Sequence, residues 1–181
     1  AVECHCRMIS TYHLKSRFQS LLRPVAAALH NAGVTANQVT VAACLMSVAI
    51  GVWVATLGTP DRNHLFLLIS FWCLLRMSAN AIDGMLAREY GHASRLGAIL
   101  NEAGDIGSDI ALYLPFAFIT GTQPWLVIIV IALAIISELA GWWSAVKTGE
   151  RANHGPMGKS DRALVFGVIA LLVGCGVETA A

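Results

Sequence analysis

Apolar residues fall into two patterns along this chain. Over residues 14–29, Leu14, Phe18, Leu21, Leu22, Val25 and Leu29 recur at helical spacing, with Lys15, Arg17, Gln19 and Arg23 between them. This spacing predicts an amphipathic helix with a basic polar face, the kind that lies along a membrane surface. Pro24 predicts a kink in it, because proline lacks a backbone donor and crowds the preceding turn. Beyond it come five long apolar stretches, over residues 39–57, 65–87, 96–119, 125–143 and 163–177. Each approaches the ~20 residues that ~30 Å of hydrocarbon requires, the last falling somewhat short. Connections are read at Gly58-Thr59-Pro60 and over residues 88–95, 121–124 and 148–162.

The expected fold is all-α: a polytopic transmembrane helix bundle of five spans, preceded by an amphipathic interfacial helix. One membrane domain would cover residues 1–181, with 1–12 a leader or disordered, 13–33 the surface helix and 39–178 the bundle. The chain begins at Ala1, and Met8 precedes the amphipathic segment, which is why the first residues are set apart. An odd number of spans leaves the carboxyl end outside, so a sixth span is expected in the full protein.

Composition agrees with a bilayer as solvent: 56% of the 181 residues are apolar and 13% charged, and the mean hydropathy is +0.65. A net charge of +1 with no long basic run excludes the electropositive footprint of a nucleic-acid-binding protein. Cys44, Cys73 and Cys175 sit in apolar stretches and read as small buried residues. Cys4-His5-Cys6 has no companion Cys/His cluster to complete a zinc site. No signal-peptide core precedes the first helix. Lys15, Arg17, Arg23, Arg88, Arg95, Lys147, Arg151, Lys159 and Arg162 all fall on one side of the expected topology, against Arg62 alone on the other. The positive-inside rule puts the richer side in the cytoplasm. An integral membrane protein of the bacterial inner membrane is the expectation.

Ionisable groups within spans are costly and mark functional sites. Asp83 closes the second stretch, and Glu102, Asp105 and Asp109 lie in the third. Asn80 and Asp83 share a helix face, and Gly97, Asn101, Asp105 and Asp109 recur every fourth residue along one stripe. A short connection makes the two stripes face each other as an antiparallel pair, forming a ring of oxygen ligands at the cytoplasmic end. Oxygen-only ligands suit a hard cation, Mg²⁺ or Mn²⁺. One or two such ions would polarise a diphosphate and place an alcohol for attack, with a carboxylate taking its proton. Gly84, Ala87, Gly97 and Gly104 beside the carboxylates would admit a nucleotide close to the backbone. Close helix packing explains the same small residues equally well.

Asn80-Ala81-Ile82-Asp83-Gly84-Met85-Leu86-Ala87-Arg88, followed by Gly97, Asn101 and Asp105, resembles the signature of the CDP-alcohol phosphatidyltransferases, D-x2-D-G-x2-A-R-x8-G-x3-D-x3-D. Every spacing is intact. Thr35-Ala36-Asn37 is similar to the family's Thr-Pro-Asn before the first span, and Gly158-Lys159 before the last adds to the likeness. The resemblance implies an enzyme of phospholipid biosynthesis that transfers a phosphatidyl group from CDP-diacylglycerol, or a related CDP-lipid, to an alcohol acceptor with release of CMP. It further implies that Asp83, Asp105, Asn80 and Asn101 surround the metal, with Asp105 also the catalytic base. Gly84, Ala87, Arg88 and Gly97 would contact cytidine and diphosphate, and Lys159 phosphate. Membrane lipids and a homodimer partner are also implied.

Asn80 and Asn101 depart from the pattern, standing where the first and third aspartates belong. An asparagine carbonyl still ligates Mg²⁺ but brings no charge. Two carboxylates then face two dications instead of four. Glu102 and Asp109 are candidate substitutes, although Glu102 is rotated about 100° from Asn101 and Asp109 lies a turn deeper. The alternative reading is therefore a catalytically impaired membrane protein that keeps the fold and binds CDP-lipid or a single cation. A channel or transporter would also use intramembrane carboxylates, but leaves the Asp-Gly-x2-Ala-Arg spacing unexplained. Arg76 and Glu138, at comparable depths, form a natural buried ion pair. Trp125, Trp142 and Trp143 read as interfacial anchors. Arg151, His154 and Arg162 read as positive-inside charge, with phosphate capture as the functional alternative.

Overall fold

The computed structural model describes residues 11–58, 60–148 and 158–177. Cys4, His5, Cys6, Arg151 and His154, weighed above, lie outside these residues, as do the first ten positions of the expected leader. Among the described residues, six helices, α1 (Thr11–Asn31), α2 (Ala36–Leu57), α3 (Phe66–Glu89), α4 (Arg95–Tyr113), α5 (Pro124–Thr148) and α6 (Lys159–Gly174), make up the bundle. Short 3₁₀ segments at Pro60–Leu65 and Leu114–Phe118 complete it, and there is no strand among the described residues. α1 starts inside the stretch expected to be leader or disordered, and runs through Pro24 as one helix.

Helix ends follow local chemistry. α2 begins at Ala36 because the Thr35 hydroxyl accepts from the Gln38 amide at 3.4 Å while the Gln38 side chain accepts from the Thr35 amide at 2.9 Å. Ser94 caps α4 by accepting from the Gly97 amide at 2.9 Å. Gly158 donates to the Asp161 carboxylate at 3.0 Å at the start of α6. The stretch expected as one span over 96–119 is broken: α4 ends at Tyr113 and a 3₁₀ turn carrying Pro115 follows. Proline cannot donate to the α-helical ladder, so the turn tightens there.

Among the described residues, three helices are long and apolar enough to cross a membrane: Ala36–Leu57, Asn63–Glu89 and Pro124–Ser144. The remaining two expected spans differ for separate reasons. α4 carries Arg95, Glu102, Asp105 and Asp109, and α6 has only 16 residues.

The bundle buries its charged side chains within an apolar core and carries large apolar side chains on its outside. Leu45, Trp53, Phe71, Leu74, Ile128, Leu133, Ile136, Leu164 and Leu172 are exposed, whereas Arg76, Asp83, Asp105, Asp109, Glu138 and Arg162 are buried. In water that outer surface would be an aggregation liability, and in lipid it is solvated. The chain is an integral membrane protein. Trp125, Trp142 and Trp143 are all exposed near the ends of α5, and the Lys147 ammonium lies 4.9 Å from the Trp143 ring centre.

Two apolar clusters bracket the buried charges. The larger contains Val54, Phe66, Ile69, Leu112, Tyr113, Phe116 and Phe166, with Tyr113 stacked on Phe166 at 3.7 Å. The smaller joins Ala26 of α1 and Ala36 of α2 to Ile82, Met85 and Leu86 of α3. α2 and α4 pack so closely that a Cβ at Gly51 would overlap the Ala111 carbonyl oxygen. That contact holds α4, and the carboxylates on it, against α2.

Candidate functional site

α3 and α4 are antiparallel and joined by a short connection containing Gly91, whose φ of 72° suits glycine. Their polar stripes meet beside that connection. Asn80 Nδ2 donates to Asp105 Oδ1 at 3.0 Å, and Asn101 Nδ2 donates to Asp83 Oδ2 at 3.2 Å. α6 brings Lys159 into the same ring, where its ammonium donates to Asp105 Oδ2 and, at 3.3 Å, to Asn101 Oδ1. Glu102 Oε1 and Glu138 Oε2 each lie 3.5 Å from that ammonium. Asp83, Asp105, Asn80, Asn101 and Lys159 therefore come together at one spot.

Thr40 of α2, which the sequence pattern does not single out, belongs to this ring. Its hydroxyl donates to Asp83 Oδ2 at 2.8 Å. A threonine facing the core of an apolar span is a visible signal only after the helix face is known.

The remaining expected substrate contacts are spread around the ring. Gly84 lies against its own helix neighbour Arg88, whose Nη2 is 3.1 Å from where a Cβ would be. Arg88 is exposed, and Ala87 packs against the small cluster beneath α1. Gly97 faces α2: a Cβ there would come within 2.6 Å of Asn37 Oδ1. Gly104 also faces α2, with Thr40 Cγ2 at 3.4 Å from its notional Cβ. The space left by these two glycines of α4 is thus used for helix packing, and Asn37 takes the room beside Gly97.

A second charged group lies one turn further along the helices. Arg76 donates to Asp109 Oδ1 at 2.6 Å and to Asp105 Oδ1 at 3.0 Å. Arg162 donates to Asp109 Oδ2 at 3.3 Å and to Glu138 Oε1. The direct Arg76–Glu138 pair expected from depth is replaced by a chain, Arg76–Asp109–Arg162–Glu138, spanning α3, α4, α6 and α5. Asp109 is committed to two guanidinium groups and does not stand in for a missing aspartate of the ring. Arg162, expected as positive-inside charge or for phosphate capture, is buried.

The residues as they stand do not fit a pair of divalent cations. Asn80 and Asn101 present amide nitrogens, not oxygens, to the carboxylates, and Lys159 already provides the positive centre at Asp105. Among the described residues no three His, Cys, Asp or Glu side chains converge so as to hold an ion.

The model of the CDP-alcohol phosphatidyltransferase family matches residues 33–180, which include every member of the ring. The chain belongs to the CDP-alcohol phosphatidyltransferase family. Its members are phosphotransferases that use CDP-alcohol substrates and are generally dependent on divalent metal. The chain is 46% identical over 165 residues to the inner membrane protein YnbA of Escherichia coli, covering 91% of this chain and 81% of that protein. It is 26% identical over 177 residues to the phosphatidylinositol phosphate synthase of Mycolicibacterium smegmatis, covering 94% and 75% respectively.

Proposed function

We infer that the protein is a phosphatidyltransferase of phospholipid biosynthesis, taking a phosphatidyl group from CDP-diacylglycerol or a related CDP-lipid to an alcohol and releasing CMP. The observation that carries this reading is the convergence of Asp83, Asn101 and Asp105 with Lys159 beside the α3–α4 connection. Lys/Arg-rich connections at this end support a cytoplasmic face of a bacterial inner membrane for the site. A second copy of the chain as homodimer partner belongs to the same reading.

In the reaction, the alcohol oxygen attacks the phosphorus of the phosphatidyl group, the bond to the CMP oxygen breaks, and the alcohol proton passes to Asp105. Asp105 Oδ2 holds the Lys159 ammonium. An incoming diphosphate competes for that ammonium, and its departure frees the carboxylate oxygen that takes the proton. Arg88, exposed at the rim, meets the diphosphate with Gly84 beside it, while Ala87 and Gly97 serve the packing of α3 on α1 and of α4 on α2. Arg76 and Asn80 keep Asp105 oriented throughout through its other oxygen.

One observation favours a second reading, a binding protein without transfer activity: Asn80, Asn101, Thr40 and Lys159 already satisfy both ring carboxylates. CMP release by the purified protein from CDP-diacylglycerol, with Mg²⁺ or Mn²⁺ and a panel of alcohols, separates the two. Release that Asp105→Asn abolishes is expected. CDP-lipid binding without release from any alcohol would leave the binding protein.

A further inference from the structure

Oxygens of two helices converge on the ammonium carried by a third. Asn101, Glu102 and Asp105 of α4 and Glu138 of α5 all lie within 3.5 Å of Lys159 Nζ. Several oxygens around one positive centre is the surrounding that a hard cation asks for, and here a side chain supplies the charge.

The two ring carboxylates differ in what meets them. Asp105 faces two cations, Lys159 and Arg76, the latter at 3.0 Å, as well as the Asn80 amide. Asp83 accepts from the neutral Thr40 hydroxyl and Asn101 amide. The asparagines sharpen this difference. Two carboxylates that approach one another need a cation between them, whereas an amide and a carboxylate hold together by a hydrogen bond. Asn80 on Asp105 and Asn101 on Asp83 convert both close approaches to the second kind.

We propose that Lys159 is a built-in cation occupying the Asp105 half of the ring, so that each chain binds at most one divalent ion. This deepens the transferase reading of the same site, and rests on it only for which ring is concerned.

The test uses the full chain in lipid nanodiscs, titrated with Mn²⁺ in the absence of any CDP-lipid, with bound ion counted by electron paramagnetic resonance. Wild type is expected to bind no more than one Mn²⁺, and Lys159→Gln to bind one more than wild type. The Asn80→Asp/Asn101→Asp variant, which keeps Lys159, is expected to bind Mn²⁺ at least about tenfold more tightly, since two charged oxygen ligands are restored. It guards against loss of folding in Lys159→Gln. Two ions on the wild-type chain, a folded Lys159→Gln with no added ion, or an unchanged affinity in the double aspartate variant would each overturn the proposal. CMP release is measured separately, so failure of the transferase reading is seen in that assay and not in this count.

Discussion

Two charged groups share the inside of this bundle, one turn apart, and they are built on different terms. In the deeper one, Arg76, Asp109, Arg162 and Glu138 are all buried, and each guanidinium meets two carboxylates. It stitches four helices together. The ring above it has a partly exposed lysine, with 24% of its side chain open, two asparagines in place of acids, and one carboxylate met by neutral donors. Ion pairing out of reach of solvent holds the bundle together. Incomplete charge balance at an open end leaves something for a substrate to complete.

Breaking the deep group should cost the most stability. Asp109→Ala leaves two buried guanidinium groups short of a partner, and a loss of about 3–5 kcal/mol is expected, seen as a large drop in thermal unfolding temperature. Asp105→Asn should act in the opposite sense: a fall in CMP release of at least about a hundredfold, with a smaller thermal shift, because Arg76 keeps Asp109. A Cβ at position 97 has to displace the Asn37 amide, so Gly97→Ala is expected to destabilise by about 1–3 kcal/mol. Thr40→Val removes a buried donor from Asp83 and should cost about 1–2 kcal/mol in the same unfolding assay. Smallest in stability is Arg88→Ala, at an exposed position, where a change within about 0.5 kcal/mol is expected. Its effect should fall on the KM for CDP-lipid instead.

The α3 and α4 members of the ring are largely legible in the sequence, because they sit at three- and four-residue spacings on two helices joined by a short connection, whereas Thr40 of α2 carries no such signal and Lys159 of α6 is marked by the family resemblance alone. Periodicity fixes faces, and a short antiparallel connection makes the faces meet. The deep group was legible only in part. Arg76 and Glu138 were recognisable as buried charges from their depth, but the residues between them were not, since Asp109 lies on the ring's own stripe and Arg162 sits among positive-inside charges. Their pairing is decided by how α6 docks, which no local pattern encodes. The break after Tyr113 was missed for a related reason: Pro115 is embedded in an apolar run whose hydropathy gives no warning. Five apolar stretches were read as spans, and three helices meet the length and composition of one. α4 gives up part of its apolar character to carry the ring.

The most direct test of the division of labour is to measure CMP release and thermal unfolding side by side for wild type, Asp105→Asn and Asp109→Asn in the same nanodiscs. Release by wild type, its loss in a still-folded Asp105→Asn, and the larger thermal loss in Asp109→Asn are expected. An Asp105→Asn protein as active as wild type, or an Asp109→Asn protein as stable, would contradict the account.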